Sequence, residues 1–329
     1  MIFPEFIKKG DTIGICAPSA GIGNKIEDYE TSIAVLNKEG YKVKETASVR
    51  SIEPRSASAV QRVKELEELV CDPEIKMIMT ATGGDVQMET IDLIDYEKIR
   101  KHPKWIMGYS DPTNLLFPVT TALDIATIYG FNGASYNDKH EQEQINNLSI
   151  IKGDLVKQHS FEKYQDFLDV IKENEVYKDV AWKADGPLEI KGRCIGGCLD
   201  VIMKLIGTRR DHVNEFIGRY KDDGIVWYFD NFAINAYNVY LSLLQFKSAG
   251  WFRYCKGVLF GRPAFPDTSG SDVINDYEVA YRNALGEIPY ISEMDIGHSK
   301  PRMTMINGAL IEVHYKDNKG DISFLMDGE

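Results

Sequence analysis

The strongest constraint on the fold is an alternation that runs through the first 130 residues. Apolar runs of strand length fall at 12–17, 41–45, 75–80, 104–107 and 126–130. Between them lie stretches with helical spacing. Ile26, Tyr29, Ile33 and Leu36 recur on one face until Gly40 stops the pattern, and Val60, Val63, Leu66 and Leu69 repeat it. A further helix is expected between Gly84 and Lys104, and another beyond Asp111. Strands alternating with helices predict a parallel sheet with helices on both faces. Ligands of such sheets bind at the carboxyl ends of the strands. Gly83-Gly84 and Ser110 stand at such ends.

The rest of the chain changes character twice. Residues 135–190 are polar and read as a connector with short helices. From 191 the strand and helix signals return: Gly196-Gly197 before a helix at 199–206, strands at 224–230 and 256–260, helices at 236–246 and 273–285. Short strands at 303–326 surround turns at Asn307-Gly308 and Asn318-Lys319-Gly320. The expected architecture is α/β throughout: an N-terminal parallel-sheet domain (1–134), the connector (135–190) and a C-terminal α/β domain (191–329).

A net charge of −12 without any Lys/Arg block argues against nucleic acid as a partner. No apolar run reaches the length of a membrane span, the longest candidate at 115–131 being broken by Pro118 and Asp124, so no membrane partner is expected. No secretory signal is visible, and the five scattered cysteines suit reduced thiols, which together predict a cytoplasmic protein. Cys194 and Cys198 lack a second Cys/His pair, so no metal site is expected.

Chemistry enters at Met107-Gly108-Tyr109-Ser110-Asp111. A serine at a sharp strand-to-helix turn has its hydroxyl thrust clear of the backbone, close to free N–H groups that can hold an oxyanion. The same serine is also a natural helix cap. A nucleophilic serine needs a base, and the base needs an orienting partner. Of six histidines, His102, His140, His159 and His212 lie in charged stretches and His314 in the terminal strands. His298, in the loop Asp295-Ile296-Gly297-His298-Ser299-Lys300-Pro301, is the candidate base, against the plainer reading of an ordinary loop residue. Asp230 ends an apolar strand and either orients a histidine or caps the segment that follows. The N–H of Asp111, with that of Gly84 or Asp85, is the candidate oxyanion donor pair; a plain Gly-Gly turn is the alternative for the second. Trp182 and Tyr136 are candidates to stack on a substrate, or to pack in a core.

In this order the motifs resemble the serine peptidase family of the muramoyl-tetrapeptide LD-carboxypeptidases and microcin C immunity peptidases. The likeness covers nearly the whole chain: the opening strand from Lys9 to Ser19, Thr82-Gly83-Gly84, Gly108-Tyr109-Ser110-Asp111, Gly196-Gly197-Cys198-Leu199, and Met294-Asp295-Ile296-Gly297-His298 followed by Pro301. The resemblance implies a Ser–Glu–His triad, with Ser110 as nucleophile, His298 as base and Asp230 where the family has glutamate. It implies an active site in a cleft between two domains, and a cytoplasmic homodimer without metal or cofactor. The implied substrate is a small peptide, cut by a carboxypeptidase reaction, or a peptidyl-nucleotide, as in the immunity-like branch that Tyr109-Ser110-Asp111 and Met294-Asp295 favour. Two departures stand out. Asp230 is one methylene short, so it reaches the imidazole only if the backbone sits closer, and Asp230→Glu is expected to keep or raise activity. Cys198 replaces an asparagine. These departures motivate the alternative of a degenerate member that binds a peptide or nucleotide without hydrolysis. An unrelated dinucleotide fold is disfavoured because Gly21-Ile22-Gly23 lacks the third glycine, and an α/β-hydrolase because Pro112 stands where its elbow needs glycine.

Overall fold

The computed structural model describes residues 1–326. The chain forms two compact units, one of Met1–Val156 with Thr304–Gly308, the other of Lys157–Met303 with the chain from Ala309 onward.

The first unit is built on a six-stranded sheet. In spatial order its strands are Met305–Asn307, Thr127–Tyr129, Trp105–Gly108, Ile75–Thr80, Thr12–Cys16 and Lys42–Glu45. All neighbours are parallel except Met305–Asn307, which runs antiparallel to Thr127–Tyr129. Helices Ile26–Lys38, Ala59–Cys71, Tyr96–Lys101, Thr113–Leu123 and Gln142–Lys152 complete it. Ala59–Cys71 shows how the sequence fixes an element. The Ser58 hydroxyl accepts the Gln61 N–H at its start, and Asp72-Pro73 ends it. Its apolar stripe of Val63, Leu66, Leu69 and Val70 is buried. Leu66 and Leu69 are each 1% exposed, so each contributes about 1.5–3 kcal/mol by burial.

The second unit carries a seven-stranded sheet in the order Tyr290–Met294, Cys255–Gly261, Ile225–Asp230, Leu188–Cys198, Leu310–Lys316, Lys319–Leu325 and Gln158–His159. The first four are mutually parallel and the remaining pairings are antiparallel. Its core stacks Trp227 on Trp251, with ring centroids 5.7 Å apart and planes 3° from parallel, and Trp251 on Phe246. Among the described residues no helix is long and apolar enough to cross a membrane.

The helix expected between Gly84 and Lys104 is Tyr96–Lys101, preceded by a 3₁₀ turn at Gln87–Glu89. The Gln87 N–H is drawn to the Asp111 carboxylate, and Asp95 caps the later helix. The helix expected at 273–285 begins only at Tyr277, because Asp276 takes the N–H groups of Glu278 and Val279. The 11-residue strand Leu188–Cys198 went unseen. Its charged residues Glu189, Lys191 and Arg193 and its three glycines interrupt the apolar pattern that marks a central strand. Trp182 and Tyr136 are core residues, 0% and 2% exposed; the Tyr136 hydroxyl donates to Asn147 Oδ1.

Candidate active site

The first unit presents Ser110 where the strand Trp105–Gly108 turns into the helix Thr113–Leu123. Its φ is +70°, a left-handed conformation that costs a non-glycine residue of order 1–3 kcal/mol and is found where a turn must aim one side chain. The turn is fixed from several sides. The Ser110 N–H donates to the Tyr129 hydroxyl at 3.0 Å, the Tyr109 N–H to Asn132 Oδ1 at 3.1 Å, and the Ser110 carbonyl accepts the Thr113 N–H at 2.9 Å. The N-cap position falls on Pro112. A Cβ placed on Gly83 would stand 3.1 Å from the Ser110 Cβ, which brings the Gly83-Gly84 loop against the serine.

Asp111, directly after the serine, turns its carboxylate inward. One oxygen accepts from the Ser19 hydroxyl and from the Gln87 N–H (2.8 Å), the other from Asn114 Nδ2 (2.8 Å). Burial pushes this carboxyl above its ordinary range, with the three donors pulling the other way and nearby Asp85 adding to the rise. The Asp111 side chain therefore anchors the glycine loop. The Asp85 side chain is exposed.

The second unit brings Asp230 and His298 together. His298 Nδ1 lies 3.0 Å from Asp230 Oδ1 and 2.9 Å from Oδ2. Asp230 is fully buried at the end of its strand, paired in register with Cys198, and His298 is 5% exposed. The missing methylene is thus made up by the backbone. Gly297 explains how. With φ +105°, it puts its Cα so near the acid that a Cβ there would meet Asp230 Oδ1 at 2.1 Å. The Asp230 carboxylate faces the histidine; the backbone after it is held by another carboxylate, since Phe232 and Ala233 donate their N–H groups to Asp200 at 2.9 and 2.8 Å. The Cys198 thiol is pushed well above its ordinary value by burial, then by the Asp230 and Asp200 carboxylates, so it remains a neutral thiol. Phe232 and Phe167 flank the imidazole, with centroids 4.5 and 5.5 Å away.

Sequence reasoning singled out Ser110, Asp230 and His298 as candidates; of these the structure brings Asp230 and His298 into contact, and the residues that support them were not singled out. Tyr129, Asn132, Ser19 and Asp200 carry no spacing signal of their own. A polar residue at the carboxyl end of a buried strand, as Asn132 nearly is, was the available hint.

Comparison with known proteins places the chain in a family. The family description of the LD-carboxypeptidase N-terminal domain matches residues 13–130, and that of the LD-carboxypeptidase C-terminal domain matches 191–313. The chain belongs to the LD-carboxypeptidase family and is a serine peptidase that cleaves a peptide amide bond. It is 27% identical over 328 residues to the microcin C7 self-immunity protein MccF of Escherichia coli, covering 94% of this chain and 92% of that one. A probable murein peptide carboxypeptidase of Bacillus subtilis (strain 168) is 31% identical over 128 residues, 39% of this chain and 40% of its own. The fold matches that of the microcin C7 self-immunity protein in complex with aspartyl sulfamoyl adenosine, with a TM-score of 0.78, 24% identity and 98% of each chain covered.

Proposed function

We propose that this chain is an immunity-like serine carboxypeptidase that cuts the amide of a small peptide or peptidyl-nucleotide through an acyl-enzyme, in the cytoplasm and as a homodimer. Residues 1–134 carry the nucleophile, 135–190 the connector and 191–329 the acid and base. Ser110 Oγ attacks the amide carbonyl. His298 Nε2 takes the serine proton and returns it to the leaving amine, and Asp230 holds the ring by Nδ1 and stabilises the imidazolium. The N–H groups of Asp111 and of Gly84 or Asp85 stabilise the tetrahedral oxyanion, a contribution of about 3–4 kcal/mol for one donor in well-studied sites. Water then releases the acyl group by the same route in reverse.

The observation that carries this reading is the buried Asp230–His298 pair. A carboxylate spent on Nδ1 fixes the tautomer that leaves Nε2 as the proton acceptor. The left-handed Ser110 turn is the second support. The full-length likeness to the immunity protein favours a peptidyl-nucleotide over a recycled cell-wall peptide. The test is a fluorophosphonate probe with peptide mapping, followed by a panel of D-alanine-terminated tetrapeptides and aminoacyl sulfamoyl nucleosides. Labelling at Ser110, abolished by Ser110→Ala together with turnover, is expected. Unlabelled Ser110, or full turnover by the alanine variant, refutes the mechanism.

A further inference from the structure

One buried charge in the second unit has no part in the chemistry above. Asp295 is 0% exposed and lies three residues before His298. Its two oxygens do different work. Oδ1 forms an ion pair with Arg262 Nη1 at 2.8 Å, and the Arg262 guanidinium is covered by the Tyr164 ring, 4.1 Å from its centroid. Oδ2 accepts two N–H groups from distant points of the chain, the Phe161 backbone at 3.1 Å and the Trp182 indole at 2.9 Å.

Phe161 and Trp182 bracket the connector loop 162–181, whose ends pair as a short antiparallel ladder, Lys163–Tyr164 against Lys178–Asp179 with the Val180 N–H on the Glu162 carbonyl, and one oxygen atom ties the residues on either side of that ladder. Between those ends the loop touches the base. Gln165 and Lys300 exchange backbone hydrogen bonds at 2.7 and 3.2 Å, and Phe167 lays its ring edge-on against His298. A buried carboxylate with a guanidinium partner is rarely a net gain in stability over an apolar pair of the same volume, so its presence calls for another role. A neutral side chain accepting at one oxygen would satisfy the connector but leave Arg262 an uncompensated buried charge.

We propose that Asp295 is a positioning residue, the clamp that closes the base of the connector loop and thereby sets Phe167 and Lys300 around His298. This rests on the reading of His298 as the general base, but the clamp itself is testable without turnover. Two variants separate its parts. Trp182→Phe deletes one donor and leaves the Arg262 pair. Asp295→Asn keeps an acceptor for the connector and turns an amide toward Arg262.

Limited trypsinolysis followed by mass spectrometry reads the connector at Lys163, Lys172 and Lys178, hydrogen exchange reads the Gln165 and Lys300 amides, and NMR reads the His298 Nδ1 proton. Trp182→Phe, which removes a hydrogen bond to a charged acceptor, is expected to raise connector cleavage and exchange of both amides about tenfold, and Asp295→Asn, whose neutral oxygen is a weaker acceptor, to raise them by less. Exchange in the strand Ile225–Asp230 should stay unchanged, and the His298 resonance should shift as the Phe167 ring moves. On the best substrate of the panel kcat falls and KM holds within about threefold. Unchanged connector cleavage, amide exchange and histidine resonance, with only a lower Tm, would show Asp295 to be a core fixture and overturn the proposal. If Asp295→Asn does not fold, Trp182→Phe decides. If no substrate is turned over, cleavage, exchange and NMR still decide the clamp, and only the catalytic reading fails.

Discussion

Replacing Asp230 by glutamate, the acid expected from the family resemblance, is the sharpest test of the dyad. The extra methylene lengthens the side chain by roughly 1.5 Å, one carbon–carbon bond. No room exists for it. Both aspartate oxygens already stand at 2.9–3.0 Å from His298 Nδ1, the Gly297 backbone abuts the carboxylate, and Asp230 is fully buried. Overpacking of this kind costs about 1–3 kcal/mol. The relief available is movement of the loop that carries His298, and misplacing a catalytic group by about 1 Å costs on the order of 10²-fold in rate. The packing reverses the expectation drawn from the resemblance, that glutamate keeps or raises activity: Asp230→Glu is expected to slow phosphonylation of Ser110 about 10²-fold, which corresponds to roughly 2.7 kcal/mol of barrier. Asp230→Asn, which disturbs the tautomer rather than the packing, is expected to lose on the order of 10⁴-fold, as in other triads. The assay is the pseudo-first-order rate of probe incorporation followed by intact-protein mass spectrometry. A glutamate variant that reacts as fast as the parent would refute the argument, and would mean that the close approach at Gly297 has no bearing on the base.

Two buried carboxylates should shape stability with pH in opposite senses. Burial raises Asp111, so its contribution is fully present below the ordinary aspartate range and is lost as pH rises through the raised value. Asp111→Asn should accordingly gain on the parent in Tm between acid and neutral pH, and a relative loss over that interval would contradict it. Glu65 is pushed upward by burial, but donation from Gln61 and from the Ser48 hydroxyl and N–H outweighs this and holds it below the usual range. Its stabilisation is present above the ordinary glutamate value and disappears as pH falls through the lowered one. Glu65→Gln should cost about 1–3 kcal/mol at neutral pH and progressively less in acid, read by urea unfolding at several pH values. Of the five thiols only Cys71 is exposed; burial raises Cys16, Cys194 and Cys198, and pushes Cys255 up to about 12. Iodoacetamide should modify the native protein once, at Cys71; rapid labelling of a second site would show that a strand opens readily.

Most of the first sheet was legible because its strands are uniform apolar runs. The run 75–80 coincides with the observed Ile75–Thr80, and the Ala59–Cys71 helix follows its stripe of four apolar residues. Leu188–Cys198 was hidden because it borders an antiparallel partner along one half and a parallel one along the other, so no single periodicity describes it. The site divides the same way. Ser110 and His298 announce themselves by glycine-flanked turns at strand ends. The residues that aim them are ordinary in sequence. Asp200 sits in a helix and reaches 32 and 33 residues along the chain to hold Phe232 and Ala233. Tyr129 acts through one hydroxyl and Asp295 through one carboxylate, each presented by an otherwise apolar segment. Period and composition report which face is buried; they do not report which buried oxygen meets which N–H.

The strand Met305–Asn307 belongs to the first unit although the chain has by then passed through nearly all of the second. It covers the edge of Thr127–Tyr129, the Asn307 side-chain amide donates to Thr127, and Asn147 donates to Thr304 in the same unit. During synthesis the N-terminal half consequently waits with an open β edge until residue 308 has cleared the ribosome. That interval, more than 150 residues of translation, is when the nascent chain is most exposed to mispairing and to chaperone capture, and no cut at a single peptide bond can yield the first unit whole.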